Sequence, residues 1–311
     1  MKRFLFRVLF PVVVVLSALF FGGECYLRSL PNDFKTKNQF LVDNAKELKI
    51  VVLGASTVSM GIKPSCFDIQ PAYNFAYASQ NLEYNYWILS KCFDQMDSLK
   101  YVIMDMSSGQ PWNSGDSIAP ERNKFYRLYF GYPILPLEFE MSASVTELYH
   151  RIRPSNGKEA IQTIDADGYQ SGYYEDVPYN AESRKEFVDW TVDYYTNRIY
   201  GEKAIIKYKN SVEKMFKIIS QCQEKNVKVI LVTPPVTSLY YNVMDNYQLE
   251  TMHDVADSLS NAFDNVVYWD FMKADSLFTV DEFYNPTHLN PRGAKKFTLM
   301  LNDSINNLEM F

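Results

Sequence analysis

The 311-residue chain is 47% hydrophobic and carries 31 Lys plus Arg against 37 Asp plus Glu, for a net charge of −6. This length and apolar content can fill one large domain, or one domain with a long insertion, and they exclude a disordered or fibrous protein. The acidic balance leaves no general basic footprint, so nucleic-acid binding is not expected.

The chain opens with Met1-Lys2-Arg3, and Phe4 to Gly23 is then apolar apart from Arg7 and Ser17. Such a run is near the length of a bilayer crossing, and Arg7 can snorkel toward the headgroups. The segment reads as a membrane-targeting element. An uncleaved anchor is favoured over a cleaved signal peptide because no clean small-x-small site follows Phe21. The basic residues precede the apolar run, which places the N-terminus in the cytoplasm and everything after Cys25 outside it. Cys25, Cys66, Cys92 and Cys222 form no close pair, which argues against a zinc site or a redox Cys-x-x-Cys. A Cys66 to Cys92 disulfide and ordinary buried thiols both remain open. No metal and no cofactor are expected.

The organisation expected is residues 1–26 as a transmembrane signal-anchor, 27–47 as a stalk with one helix, and 48–311 as an α/β domain with an insertion over 107–201. Leu48 to Leu53 is a short buried strand that stops at Gly54, after which small residues present Ser56. Ala72 to Ala78 is strand-like, Leu82 to Met96 has helical spacing, and Lys100 to Met106 is a third strand. Strand, helix and strand in this order imply a parallel sheet. The segment from Ser107 to about Gly201 breaks the pattern. It holds Trp112, Tyr126, Tyr129, Phe130, Tyr132, Tyr169, Tyr173, Tyr174, Tyr179 and Trp190, with partial helices near Ser142 to Ile152 and Ser183 to Tyr195. It reads as an insertion or lid whose aromatics either fill a small core or stack on sugar rings. Asp165 to Gly168 resembles the start of a calcium loop but lacks the later ligands, and reads as a turn. Alternation then returns: a helix over Ala204 to Glu224, a strand over Val227 to Val232, a helix over Asn246 to Phe263, a strand over Val266 to Asp270, and a last helix over Pro291 to Asn307. The fold expected is three-layer α/β/α with a parallel five-stranded sheet.

Ser56 lies where a strand meets a helix, at the edge where ligands bind in open α/β sheets, and is the first candidate nucleophile. Its bland reading is a helix N-cap. The chain has three histidines, His150, His253 and His288. His150 and His253 fall in or near helical patterns, whereas His288 falls in a loop between the last strand and the last helix, at the edge that carries Ser56. It is the candidate general base.

Gly54-Ala-Ser56-Thr-Val-Ser-Met-Gly61 and Asn285-Pro-Thr-His288-Leu-Asn-Pro-Arg-Gly293 resemble the first and last blocks of the SGNH (GDSL-like) hydrolase superfamily. With the N-terminal anchor, they resemble more closely its DltD-like and alginate-acetylation-like extracytoplasmic branches. Asn74 to Gln80 is similar to the second block. The resemblance implies Ser56 as nucleophile, His288 as base and Asn285 as the residue that orients it, with Gly54, Ala78, Ser79, Gln80 and Ser107 around the oxyanion and substrate. It implies an esterase or O-acyltransferase, acting on O-acetyl groups of a cell-surface or exported polysaccharide, and a membrane-bound acyltransferase as partner. Three departures accompany it. Ala55 replaces the usual acid after the first Gly, and Asp105-Met-Ser107-Ser108 stands where a Gly-x-Asn-Asp block belongs. Asn285 stands where the family has Asp, with Asp281 or Glu282 as substitutes if the loop folds back. An Asn can accept from imidazole but cannot stabilise imidazolium by charge, and in one serine protease an Asp-to-Asn change cost about 10⁴ in turnover. The rival reading is a membrane-tethered glycan-binding or assembly protein of the same fold that has lost turnover. A periplasmic solute-binding domain ranks last, because only one sheet's worth of strands is present.

Overall fold

The computed structural model describes residues 2–115, 120–132, 164–171 and 181–309. Its chain divides into two compact units, residues 1–38 with 120–162 and residues 39–119 with 163–311. The first unit holds α1 (Lys2–Ser29) and α5 (Pro120–Phe130). Phe6–Ser29 of α1 is long and apolar enough to cross a bilayer. Within this unit Phe34 meets Phe125 face to face and Tyr126 edge-on, at centroid distances of 5.3 and 4.9 Å. Helix α2 (Asp33–Asn44) begins on the carbonyl of the Asn32 side chain, which accepts from Phe34 N–H at 2.9 Å.

The second unit is built on a five-stranded sheet comprising β1 (Ile50–Leu53), β2 (Ala72–Asn74), β3 (Tyr101–Asp105), β4 (Lys228–Thr233) and β5 (Val266–Asp270). Its order is β2-β1-β3-β4-β5 with every pair parallel. Ile50 to Leu53 are buried on both faces, which is why the strand reads as a continuous apolar run instead of an alternation. Even-numbered Ile50 and Val52 share one core with Ile103, Ile230 and Val232 and with Phe297, Leu301 and Ile305 of α10 (Pro291–Glu309). The crossovers between strands run through α4 (Leu82–Cys92), α7 (Glu202–Glu224) and α9 (Asn246–Ala262). Asn81 caps α4 by accepting from Tyr84 N–H, and Asp245 caps α9 by accepting from Gln248 N–H.

The expected parallel five-stranded α/β architecture is present. The second strand is shorter than expected, ending at Asn74, because the Asn74 side chain turns the chain by accepting from Ala76 N–H at 3.0 Å. The helix over Leu82 to Met96 is α-helical only to Cys92 and closes with a 3-10 turn over Phe93–Gln95. Ser183 to Tyr195 lies within a longer helix, α6 (Ala181–Ile199). Ser142 to Ile152 lies outside the described residues, as do His150, Tyr173, Tyr174 and Tyr179. The loop before the last helix contains a small antiparallel hairpin that the sequence reading treats as irregular, β6 (Phe283–Asn285) paired with β7 (His288–Leu289). All four cysteines are free thiols, and burial pushes the Cys222 thiol up to about 12.

Candidate active site

The strand order reverses at β1 and β3, since the chain leaves β1 to one side for β2 and returns to the other for β3. At such a point the loops after the two strands part and leave a crevice at their carboxyl ends. Ser56 follows β1 there, and Asp105 ends β3 beside it.

The turn after β1 needs its glycine. Gly54 has φ +152°, and a Cβ on it would lie 2.3 Å from Asp105 Cβ and 2.6 Å from Val58 Cγ2. Ser56 then opens the short helix α3 (Ser56–Ser59), but the cap position is Ala55, which makes no side-chain cap. The Ser56 hydroxyl is therefore not used as an N-cap. It faces His288, whose Nε2 lies 2.8 Å from Ser56 Oγ. His288 Nδ1 lies 2.9 Å from both Asn285 Oδ1 and Thr287 Oγ1. An Nδ1–H donated to the Asn285 carbonyl leaves Nε2 as the acceptor for the serine hydroxyl. Asn285 Oδ1 also accepts from Thr287 N–H at 3.0 Å, so the amide oxygen is fixed before it meets the ring. The hairpin itself is held to the loop after β4, where Thr237 N–H donates to Pro286 O at 2.9 Å.

Burial pushes the half-buried His288 down to about 4, with no charged partner contributing. The imidazole is thus neutral at pH 7, the state a general base requires. Neither Asp281 nor Glu282 substitutes for the missing Asp. The Glu282 carboxylate accepts from Thr279 N–H at 2.7 Å and pairs with Lys296 Nζ at 3.1 Å, while exposed Asp281 lends its backbone carbonyl to Asn290 and Arg292. The segment is tied to the start of α10: Asn290 N–H donates to Glu282 O at 3.0 Å, and Asn290 Oδ1 accepts from Arg292 and Gly293 N–H groups. His253 pairs with Asp270 at 2.9 Å, away from the serine.

Asp105 is the residue the sequence reading passed over. It is buried, and its Oδ2 accepts from Ala55 N–H at 3.1 Å, Thr57 Oγ1–H at 2.8 Å and Gln110 Nε2–H at 2.7 Å. Its Oδ1 accepts from Ser107 N–H at 2.8 Å. One carboxylate thus ties the serine turn to the loop after β3. No local pattern marks it: the parallel register, with Leu53 opposite Met104, sets the residue one step beyond Met104 next to Gly54. Asn74 holds α3 from below, donating from Nδ2 to Val58 O and Ile62 O, both at 2.9 Å. Ser59 and Gln170 hold it from the side through Ser59 Oγ–H to Gln170 Oε1 at 2.8 Å and Gln170 N–H to Ser59 O at 3.0 Å. The Asp165 to Gly168 stretch is a turn, closed by Gly168 N–H on Asp165 O and braced by Asp167 on Ser65 N–H. No group of metal-ligating side chains occurs among the described residues.

The serine and histidine open into a cavity of about 340 Å³. One wall is α6, which contributes Phe187, Trp190, Tyr194, Tyr195 and Arg198. Trp190 is 60% exposed, in contrast to Trp112 and Tyr169, which fill the core. Tyr195 lies on Gly109, where a Cβ would come within 2.5 Å of its ring. Arg198 lies over the Tyr194 ring at 4.6 Å, and Lys207 also lines the cavity. Of the residues expected around the oxyanion, Ser79 and Ser107 line the cavity and Ser79 has φ +61°. Gly54 and Ala78 do not line it, and Gln80 turns inward, donating from Nε2 to Phe75 O and Asn85 Oδ1. Ser107 N–H is used on Asp105, whereas Ser56 and Thr57, as the first two residues of α3, have N–H groups with no acceptor one turn back.

A family model matches residues 135–309, more than half of the sequence. The chain belongs to that family. No curated protein matches by sequence. Among solved structures, the chain is similar to a protein from Streptococcus pneumonia described provisionally as a platelet activating factor, at 10% identity and a TM-score of 0.44, over 95% of this chain and 98% of that one. It is also similar to a Bacteroides fragilis protein described provisionally as an acylhydrolase, at 10% identity and a TM-score of 0.42, over 89% of this chain and 99% of that one.

Proposed function

We propose that the chain is a serine-dependent esterase or O-acyltransferase of the SGNH type, tethered by its N-terminal helix and acting outside the cytoplasm on an acylated glycan. The observation that carries this reading is the 2.8 Å contact between Ser56 Oγ and His288 Nε2, on a ring whose other nitrogen is held by Asn285. In the first half-reaction, His288 Nε2 takes the hydroxyl proton as Ser56 Oγ bonds to the ester carbonyl carbon. On this reading the N–H groups of Ser56 and Ser79 receive the developing oxyanion, worth roughly 3 kcal/mol per donor in comparable sites. The carbon–oxygen bond to the alcohol then breaks, and the proton on Nε2 passes to the departing oxygen. Water or a sugar hydroxyl reverses the sequence and frees Ser56. The α6 wall supports a glycan as the alcohol part, since an exposed indole beside the nucleophile offers a face for a sugar ring.

The neutral Asn285 supports the second reading, a glycan-binding protein of the same fold without turnover. Treatment of the full chain in detergent with a serine-directed phosphonate, followed by peptide mass spectrometry, separates the two. Labelling of Ser56 that disappears in both Ser56→Ala and His288→Ala is the expected outcome. An unlabelled, folded protein would leave binding as the function.

A further inference from the structure

The nucleophile borders a second, much smaller space. A recess of about 40 Å³ shares Ser56 and His288 with the wide cavity but extends the other way, beneath the loop after β4. Its far end is closed by Val236, Tyr240 and Met272, all less than 9% exposed and so unable to move aside without disturbing the core. Beside these three residues, the hydroxyls of Thr233 and Ser108 are engaged with protein groups. Thr233 Oγ1–H is directed to Met106 O at 2.9 Å, with Tyr268 Oη 3.0 Å away, and Ser108 Oγ faces Tyr240 Oη. Burial also pushes the Tyr240 phenol up to about 12, so it stays neutral.

An ester bound at Ser56 has two arms, and two spaces of unequal size meet there. A water-sized group needs about 10–15 Å³ of such space, so the recess admits roughly three non-hydrogen atoms. With the carbonyl oxygen turned out of the recess toward the Ser56 and Ser79 N–H groups, those places go to the carbonyl carbon and one or two further carbons of a short acyl chain. The wide cavity, lined by Ser79 and the α6 aromatics, takes the larger arm. Resting on the acyl-transfer reading above, we infer that the recess is the acyl pocket and that Val236, Tyr240 and Met272 set the acyl length at two to three carbons. Each further methylene would have to displace a buried side chain, which close-packed interiors resist.

The test is a chain-length series of p-nitrophenyl acetate, propionate, butyrate and hexanoate with the full chain in detergent, reading kcat/KM. The acetate should be the best substrate, with about a 10-fold or larger fall for each methylene beyond propionate. Met272→Ala and Val236→Ala should each move the optimum toward butyrate, and Val236→Leu should narrow it toward acetate; thermal melting monitors folding, and the three substitutions are independent routes to the same readout. Trp190→Ala, on the other cavity, should leave the order of acyl preference intact. A flat chain-length profile, or a profile that none of the recess substitutions moves, would overturn the acyl-pocket assignment while leaving the esterase reading standing. Absence of turnover on every ester, with Ser56 unlabelled by phosphonate, would overturn both together.

Discussion

Asn285 decides how His288 behaves. Its amide oxygen does the geometric work of a carboxylate, holding Nδ1 at 2.9 Å, but it adds no negative charge to offset burial, and the ring sits at about 4. A weaker base transfers the serine proton less readily, yet it stays unprotonated into acidic solution. Asn285→Asp restores the charge and should raise the histidine. The acid limb of the pH profile of kcat/KM, expected near pH 4 in the native protein, should then move upward by one or more units toward the ordinary histidine value of about 6.5. Activity at pH 7 should rise. A limb that stays where it was would show that Asn285 does not contact the ring in solution.

At the scale of elements, three pieces of backbone meet at the site: the turn from β1 into α3, the loop after β3 and the β6–β7 hairpin. Asp105 binds the first two through four donors. Asp105→Ala leaves buried donors without acceptors and should cost about 2–4 kcal/mol of stability, read as a lower denaturant midpoint. It should also slow phosphonate labelling of Ser56 by an order of magnitude or more, because the serine turn loses its tie to β3. Labelling at the native rate in the folded variant would reduce Asp105 to a structural role. These contacts mark how far a linear reading reaches. Ser56, His288 and Asn285 were legible because each belongs to a local pattern, a strand running into a small-residue turn or a histidine beside a proline-bounded helix start. Asp105 and Gln170 were not, because their importance comes from neighbours 50 and 111 positions away, a relation set by sheet register and tertiary packing. The five strands were legible from continuous apolar runs. The β6–β7 hairpin was missed because a two-residue strand has no periodicity to detect.

For the molecule as a whole, the neutral histidine ties stability to pH. In the unfolded chain His288 takes up a proton near 6.5, and in the folded chain only near 4. Between these values the unfolded state binds more protons, so stability falls as the pH is lowered through this window and changes little from this group above or below it. Denaturant melts at pH 7, 5.5 and 4 should show that fall, and His288→Gln should flatten it. The N-terminal helix was plain from composition, since hydropathy needs no tertiary context. The segment that forms the α6 wall was legible as an insertion rich in aromatics, but which of them fill a core and which, like Trp190, face the cavity is decided only by tertiary packing.

The hairpin that carries His288 has one more consequence. The base, the oxygen that aims it and the threonine that steadies that oxygen lie within residues 285–288. The aim of the imidazole is therefore set largely by four consecutive residues, while Thr237 fixes where the hairpin sits. The joint that the wider fold must close for the chemistry is the 2.8 Å contact between His288 of β7 and Ser56 at the head of α3. Distant substitutions should thus act on the centre chiefly by shifting the hairpin against the serine turn, and less by turning the ring within the hairpin.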